Sequence, residues 1–501
     1  MKRPNILLIT SDQQHWNTLG TINPKIKTPN LDRLSKQGMR FSRAYCPNPT
    51  CTPTRASIIT GLYPSMHDAW SLGTKLPEDV PTVGDTLHRG GYRTALIGKA
   101  HFQPLASTPS QTSIECQPIL RDLEFWKGFR GPWYGFDSIE LARNHADEAH
   151  VGQHYALWME EKGLADWRSY FQDPATSQPK RRGAWELPAE LHYSSWTAEK
   201  TIAEIEQSVD NGQPFFTWAS FLDPHPPYLV PEPWASMYNP DDMEPGTLLE
   251  GEMELLPEHF RLTQQPRPDY SAYQETTHGN HGFTSHLVDE VEAKQDMATY
   301  YGMISFMDEQ IGRILDALDK KGIAENTLIV FTSDHGHFLG QHGLWHKGAF
   351  HYEDLLRVPL LVSWPGVVPA GGTTDALQSL VDLAPTFLRA ADLDIPTQMQ
   401  GVDQLDVWRG RKTKARQDVI VEFHHQPKKV HLRTYITQSH KMTIYRDQSY
   451  GELFDLTTDP EERRNLWADP ASTPLKCALF EGLAHCELRR DTFRQPRISG
   501  A

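Results

Sequence analysis

The chain has 501 residues, enough for one very large α/β domain with an appendage or for several ordinary domains. Hydrophobic residues make up 38% and charged residues 23%, which supports a sizeable core and excludes global disorder. The 49 basic and 64 acidic residues leave a formal charge of −15, so nucleic acid is a poor partner and any anionic substrate must be drawn by local charge.

The opening MKRPNILLIT is basic, but its apolar run is too short for a signal-peptide core. No later window approaches the roughly 20 apolar residues of a membrane span. A soluble, cytoplasmic chain without a membrane partner is the expectation. Ile6 to Ile9 reads as a strand buried on both faces, stopping at Thr10-Ser11-Asp12-Gln13. Thr28 to Gly38 (TPNLDRLSKQG) has a helical pattern with a Gly stop. Cys51-Thr52-Pro53-Thr54-Arg55 opens a second helix, with Pro in the first turn and Gly61 after the end. The five cysteines (46, 51, 116, 477 and 486) are too few and too scattered for a disulfide framework.

Thr94 to Ile97 is the next strand run, followed by Gly98-Lys99-Ala100-His101. Residues 102–210 are rich in Trp, Tyr, Pro and His and read as an insertion over the site, though Thr197 to Val209 within them is helical. Phe215 to Leu222 is a strand run ending in Asp223-Pro224-His225-Pro226-Pro227, and 230–295 is a second insertion. A helix over Tyr301 to Lys320 precedes the strand Leu328 to Phe331, which ends in Thr332-Ser333-Asp334-His335-Gly336, with Lys347 shortly after. Beyond about residue 400 the pattern changes to short strand runs (Val419 to Phe423, Thr434 to Thr437, Lys441 to Tyr445) and GELFDLTTDPEERRNL. The predicted organisation is a catalytic domain over 1–400 and a C-terminal α+β subdomain over 401–501, a small antiparallel sheet with a helix.

Alternating strands and helices predict an α/β fold: a large, mainly parallel sheet sandwiched by helices. Ligands in such sheets bind beyond the carboxyl ends of the strands. Four strands here each deliver Asp, His or Lys at that end, which points to one active site. Position 51, at a helix N-terminus, meets unpaired backbone N–H groups and the positive end of the helix dipole, and Arg55 adds a fixed charge one turn on. Asp12 and Asp334 can share a divalent cation that cancels their repulsion.

Cys-x-Pro-x-Arg, followed by a small-residue helix ending in Thr-Gly, resembles the type I sulfatases of the alkaline phosphatase superfamily. The resemblance implies an alkaline-phosphatase-like fold. It also implies oxidation of Cys51 to formylglycine by a modifying enzyme, and a metal site made of Asp12, Gln13, position 51, Asp334 and His335. Asp12-Gln13 and Asp334-His335, in place of the commoner Asp-Asp and Asp-Asn, resemble the choline sulfatases and phosphonate monoester hydrolases. Gln13 then either ligates through its amide oxygen or only orients the nucleophile. His335 brings nitrogen to the site, which bears on the choice among Ca²⁺, Mn²⁺ and Zn²⁺. Lys99 and His101 resemble the family's Gly-Lys-x-His segment, and the spacing of Lys347 after Asp334 matches the same relatives.

The implied mechanism has the metal and Arg55 holding a gem-diol at position 51 for in-line attack on sulfur. Lys99 and Lys347 stabilise the equatorial oxygens, His225 protonates the leaving group, and His101 takes the proton that expels sulfate. Hydrolysis of small-molecule sulfate monoesters is the leading expectation. The alternative is hydrolysis of phosphonate monoesters or phosphodiesters by the same groups, and a third reading is a silent binder of sulfated ligands with an unmodified thiol. Relatives of this subset suggest a homodimer or homotetramer. His337, His342, His346 and His351, crowded near Lys347, are read as supporting groups or a separate zinc site.

Overall fold

The computed structural model describes residues 3–143, 150–171, 180–492 and 500. Its centre is a sheet of eight strands. In chain order these are β1 (Asn5–Ser11), β2 (Met39–Phe41), β3 (Arg93–Gly98), β4 (Ser138–Leu141), β5 (Phe215–Ser220), β6 (Thr327–Ser333), β7 (Leu360–Ser363) and β8 (Gly372–Thr374). The spatial order is β8-β2-β7-β6-β1-β5-β3-β4. All run one way except β7, which is antiparallel to β6 and to β2.

The continuous apolar runs follow from burial on both faces. Ile6 and Leu8 of β1 join one core cluster with Phe216, Trp218, Leu328 and Val330, while Leu7 and Ile9 join the other with Phe215, Ala219, Ile329 and Phe331. Helix α1 (Pro29–Gln37), α3 (Tyr193–Asp210) and α4 (Glu290–Lys320) cover the second face. Helix α2 (Cys51–Thr60) packs into the first, burying Ala56, Ile58 and Ile59. The expected α/β layering with helices on both faces is therefore present.

Two elements differ from expectation. The stretch 102–210 contributes β4, an edge strand parallel to β3, so it extends the sheet as well as overlying it; its residues 144–149 and 172–179 lie outside the described residues. Helix α4 begins at Glu290 instead of Tyr301, its N-terminus capped by Asp289, whose carboxylate accepts from Glu292 N–H at 2.9 Å. C-terminal to the large sheet, β9 (Val419–Gln426), β10 (Val430–Ile436), β11 (His440–Tyr445) and β12 (Gly451–Asp455) form an antiparallel meander, followed by helix α5 (Thr473–Arg489). Among the described residues no helix is long and apolar enough to cross a membrane.

Candidate active site

Backbone pairing continues past the strands and fixes the residues that follow them. Lys99 N–H donates to Ser220 O at 3.0 Å, Asp12 N–H to Asp223 O at 3.0 Å, and Asp334 N–H to Ser11 O at 3.3 Å. Helix α2 is aimed so that its first residue, Cys51, faces these ends. Thr50 is the extended cap residue, and Gly61, left-handed at φ 65°, donates back to Ser57 O to stop the helix.

Arg55 ties the parts together. Its Nε donates to Asp334 Oδ2 at 2.8 Å, its Nη2 lies 3.5 Å from Asp12 Oδ2, and its Nη1 donates to Lys99 O at 2.9 Å and Ser220 Oγ at 2.7 Å. One buried guanidinium thereby bridges groups at the ends of β1, β3, β5 and β6. Ser220, which also donates to Lys99 O at 2.7 Å, escaped the sequence reading because it closes an apolar strand run. Its position as the last polar residue of that run was the available signal.

The Cys51 sulfur lies 3.2 Å from His335 Nε2 and 3.6 Å from Asp12 Oδ1. Lys347 Nζ donates to it at 3.1 Å and Lys99 Nζ at 3.8 Å. Burial and the Asp12 carboxylate push the thiol up, but the two ammonium groups outweigh them and leave it below its usual range. Lys99 forms a buried ion pair with Asp12, and its own pKa is lowered by burial against that carboxylate.

Ligand atoms of Asp12, Cys51, Asp334 and His335 lie within 4.8 Å of one another, all buried. His335 Nδ1–H donates to Gly336 O at 2.9 Å, which turns the Nε2 lone pair toward the cluster. Gln13, held at φ 64°, donates its backbone N–H to Asp334 Oδ1 at 3.0 Å. Its side-chain oxygen is buried without a hydrogen-bond partner. Two carboxylates, an oriented imidazole and an orphaned amide oxygen are a donor set that fits a divalent cation.

The remaining expected residues take different positions. His225 Nδ1–H donates to Pro226 O at 2.6 Å, and its Nε2 accepts from Lys347 Nζ at 3.1 Å, so Lys347 connects it to Cys51. His101 sits in a left-handed turn at φ 59°, with its Nδ1 buried and unpartnered. Burial, then Arg143, Lys99 and Arg55, hold it well below the usual histidine range. Glu115 accepts from His101 N–H at 2.9 Å and Gln103 N–H at 2.7 Å and pairs with Arg143 at 3.3 Å. Arg143, just past β4, went unseen with its strand. Among the described residues His337, His342, His346 and His351 form no zinc site; they pair separately with Gln13 and Tyr228, with Glu252, with Tyr228, and with Thr434.

The profile of the family described as Sulfatase matches residues 4–393. The chain belongs to the sulfatase family. A second profile, N-sulphoglucosamine sulphohydrolase, C-terminal, matches residues 340–489. An arylsulfatase of Clostridium perfringens is 28% identical over 483 residues, covering 93% of this chain and 90% of that protein. A multifunctional alkaline phosphatase superfamily protein of Trinickia caryophylli is 29% identical over 511 residues, covering 95% and 93%. The solved structure of a phosphonate monoester hydrolase from Silicibacter pomeroyi superposes with a TM-score of 0.80 at 22% identity, covering 98% of this sulfatase and 96% of that chain. The expected alkaline-phosphatase-like fold, with its small C-terminal antiparallel sheet, is borne out.

Proposed function

We propose that this chain hydrolyses sulfate monoesters through a formylglycine made from Cys51, with a divalent metal held by Asp12, Gln13, Asp334, His335 and position 51. The observation that carries the reading is Cys51 at a helix N-terminus, within reach of Asp12, His335 and two lysines at once. A divalent cation held by these residues would supply Lewis acidity to the reaction. Oxidised and hydrated, position 51 supplies a nucleophilic oxygen and a second hydroxyl.

Lys99 and Lys347 offset charge on the equatorial sulfate oxygens. His225, together with Lys347, which donates to its Nε2, protonates the leaving oxygen, since Nδ1 is committed to Pro226 O. His101, neutral, takes the proton whose loss releases sulfate. The mixed oxygen and nitrogen donors suit Ca²⁺ or Mn²⁺, with Zn²⁺ third. The enzyme that oxidises Cys51 is an obligate partner on this reading, and the working form is a cytoplasmic homodimer or homotetramer.

The mass of the peptide containing position 51, from a host able to oxidise it, tests the nucleophile. An aldehyde is expected; an intact thiol sinks the mechanism and favours a silent binder of sulfated ligands. The second reading, hydrolysis of phosphonate monoesters or phosphodiesters, is favoured by Gln13 and His335. Turnover of an aryl sulfate is expected to exceed that of the matching aryl phosphonate, and the reverse order overturns the leading reading.

A further inference from the structure

Behind Gln13 lies a buried string of polar groups, His337, Tyr228 and His346, that the mechanism does not use. Gln13 Nε2 lies 2.8 Å from His337 Nδ1, His337 Nε2 lies 2.8 Å from the Tyr228 hydroxyl, and that hydroxyl lies 3.4 Å from His346 Nδ1. Tyr300 clamps both ends of the first link. Its ring stacks on His337 with centroids 4.9 Å apart, and its hydroxyl donates to Gln13 O at 2.9 Å while accepting from His15 N–H at 2.8 Å.

Donor and acceptor counting gives this string a direction. An amide nitrogen only donates, so His337 Nδ1 accepts from Gln13 and Nε2 carries the ring proton. That proton goes to the Tyr228 oxygen, whose own O–H is then left for His346 Nδ1. The opposite direction also closes: His346 Nδ1–H to Tyr228, Tyr228 O–H to His337 Nε2, and His337 Nδ1–H to the Gln13 amide oxygen. The two arrangements differ in what Gln13 presents on its other side, an oxygen in the first and an NH₂ in the second. The structure has the first, and the Gln13 oxygen is consequently buried with no donor. A buried carbonyl without a donor is satisfied by a cation, and a cation also repels the alternative NH₂.

We propose that His337, backed by Tyr228 and His346, is a positioning residue that fixes the Gln13 amide with its oxygen toward the metal and so sets the affinity of the site. The inference rests on the metal reading above but needs no substrate. Groups hydrogen-bonded behind a metal ligand contribute about 10- to 100-fold in affinity.

The test is chelator competition with Mn²⁺ and Ca²⁺ on the full chain after metal removal, together with the rise in melting temperature on adding each ion. His337→Leu is expected to weaken binding by about 10- to 100-fold. Tyr228→Phe, a milder change, should weaken it less. His337→Gln, whose amide oxygen can accept from Gln13, should restore most of the loss. Because His337 acts through Gln13, Gln13→Ala combined with His337→Leu should bind no more weakly than Gln13→Ala alone. Wild-type affinity in His337→Leu and Tyr228→Phe, or fully additive losses in the double variant, overturns the inference while leaving the metal reading intact. A wild-type chain that binds neither ion overturns both.

Discussion

Arg55 is where the site is most exposed to a single substitution. Its side chain is fully buried between two carboxylates, a carbonyl and a hydroxyl, and its charge is sustained by Asp334 and Asp12 against the cost of burial. Lysine keeps the charge but not the planar fork, so Arg55→Lys leaves several of these acceptors unserved. The expected outcome is a folded protein with kcat lower by about 10²-fold, the scale of losing one preorganised donor in an active site. Arg55→Ala should also lower stability by about 3–5 kcal/mol, because it strands the buried Asp334 carboxylate, whereas Asp12 keeps Lys99. Steady-state kinetics and denaturant titration separate the two effects, and wild-type kcat in Arg55→Lys would remove Arg55 from the catalytic account. At this scale the site was legible wherever a charged residue interrupts an apolar run: Asp12, Lys99, Asp334 and His335 all lie just past strands. Ser220 and Tyr228 were passed over, because a hydroxyl in or beside an apolar run carries far less contrast than a charge. Glu115 and Arg143 were hidden for another reason, since only the fold brings those two positions together.

At the scale of elements, the join between β3 and β5 controls how closely Lys99 and Ser220 approach Arg55. Gly98 ends β3 at φ 104°, and a Cβ there would lie 1.9 Å from Ser220 O. Gly322, in the turn after α4, also has positive φ (65°), but a Cβ there meets nothing within 4 Å. Gly322→Ala should therefore show only the backbone penalty, roughly 1–2 kcal/mol. Gly98→Ala should cost clearly more and lower activity, since β3 must move away from the strand that carries Ser220. Urea midpoints of the two variants measure the difference, and equal losses would mean that the close approach at Gly98 relaxes without consequence. The central strands were readable because burial on both faces makes them continuous apolar runs. The edge strand β4 was not: it is short, with only Ile139 and Leu141 buried, and alternation over so few residues does not stand out among aromatic-rich neighbours. The early start of α4 was missed because the segment EVEAKQDMATY has good helix formers but a weak apolar stripe.

For the molecule as a whole, the C-terminal meander reaches the nucleophile through one strand. Glu422 of β9 donates its N–H to Pro47 O at 2.8 Å, and its carbonyl accepts from Asn48 Nδ2 at 2.7 Å, so β9 braces the loop that leads into Cys51. The Glu422 carboxylate is buried. It accepts from Ser65 N–H at 2.8 Å and Ser65 Oγ at 3.0 Å, and pairs with Arg490 just past α5 and with Arg433 of β10 at 3.4 Å. Burial alone would raise its pKa, but Arg490 and then Arg433 outweigh it and bring the carboxyl down to about 2 from 4.5. A carboxyl depressed in the folded state adds stability above its unfolded pKa and loses it as pH falls through the folded value. At about 1.4 kcal/mol per unit, the contribution at neutral pH is about 3 kcal/mol, fading between about pH 4.5 and pH 2. Glu422→Gln should thus unfold at lower denaturant at pH 7, by an amount that shrinks steadily below about pH 4. Because β9 braces the loop before Cys51, the same variant should lose activity before global unfolding as denaturant rises. A pH-independent difference in stability would show that Glu422 acts by packing alone. Activity loss coincident with unfolding would show that the brace is not needed to hold the nucleophile loop.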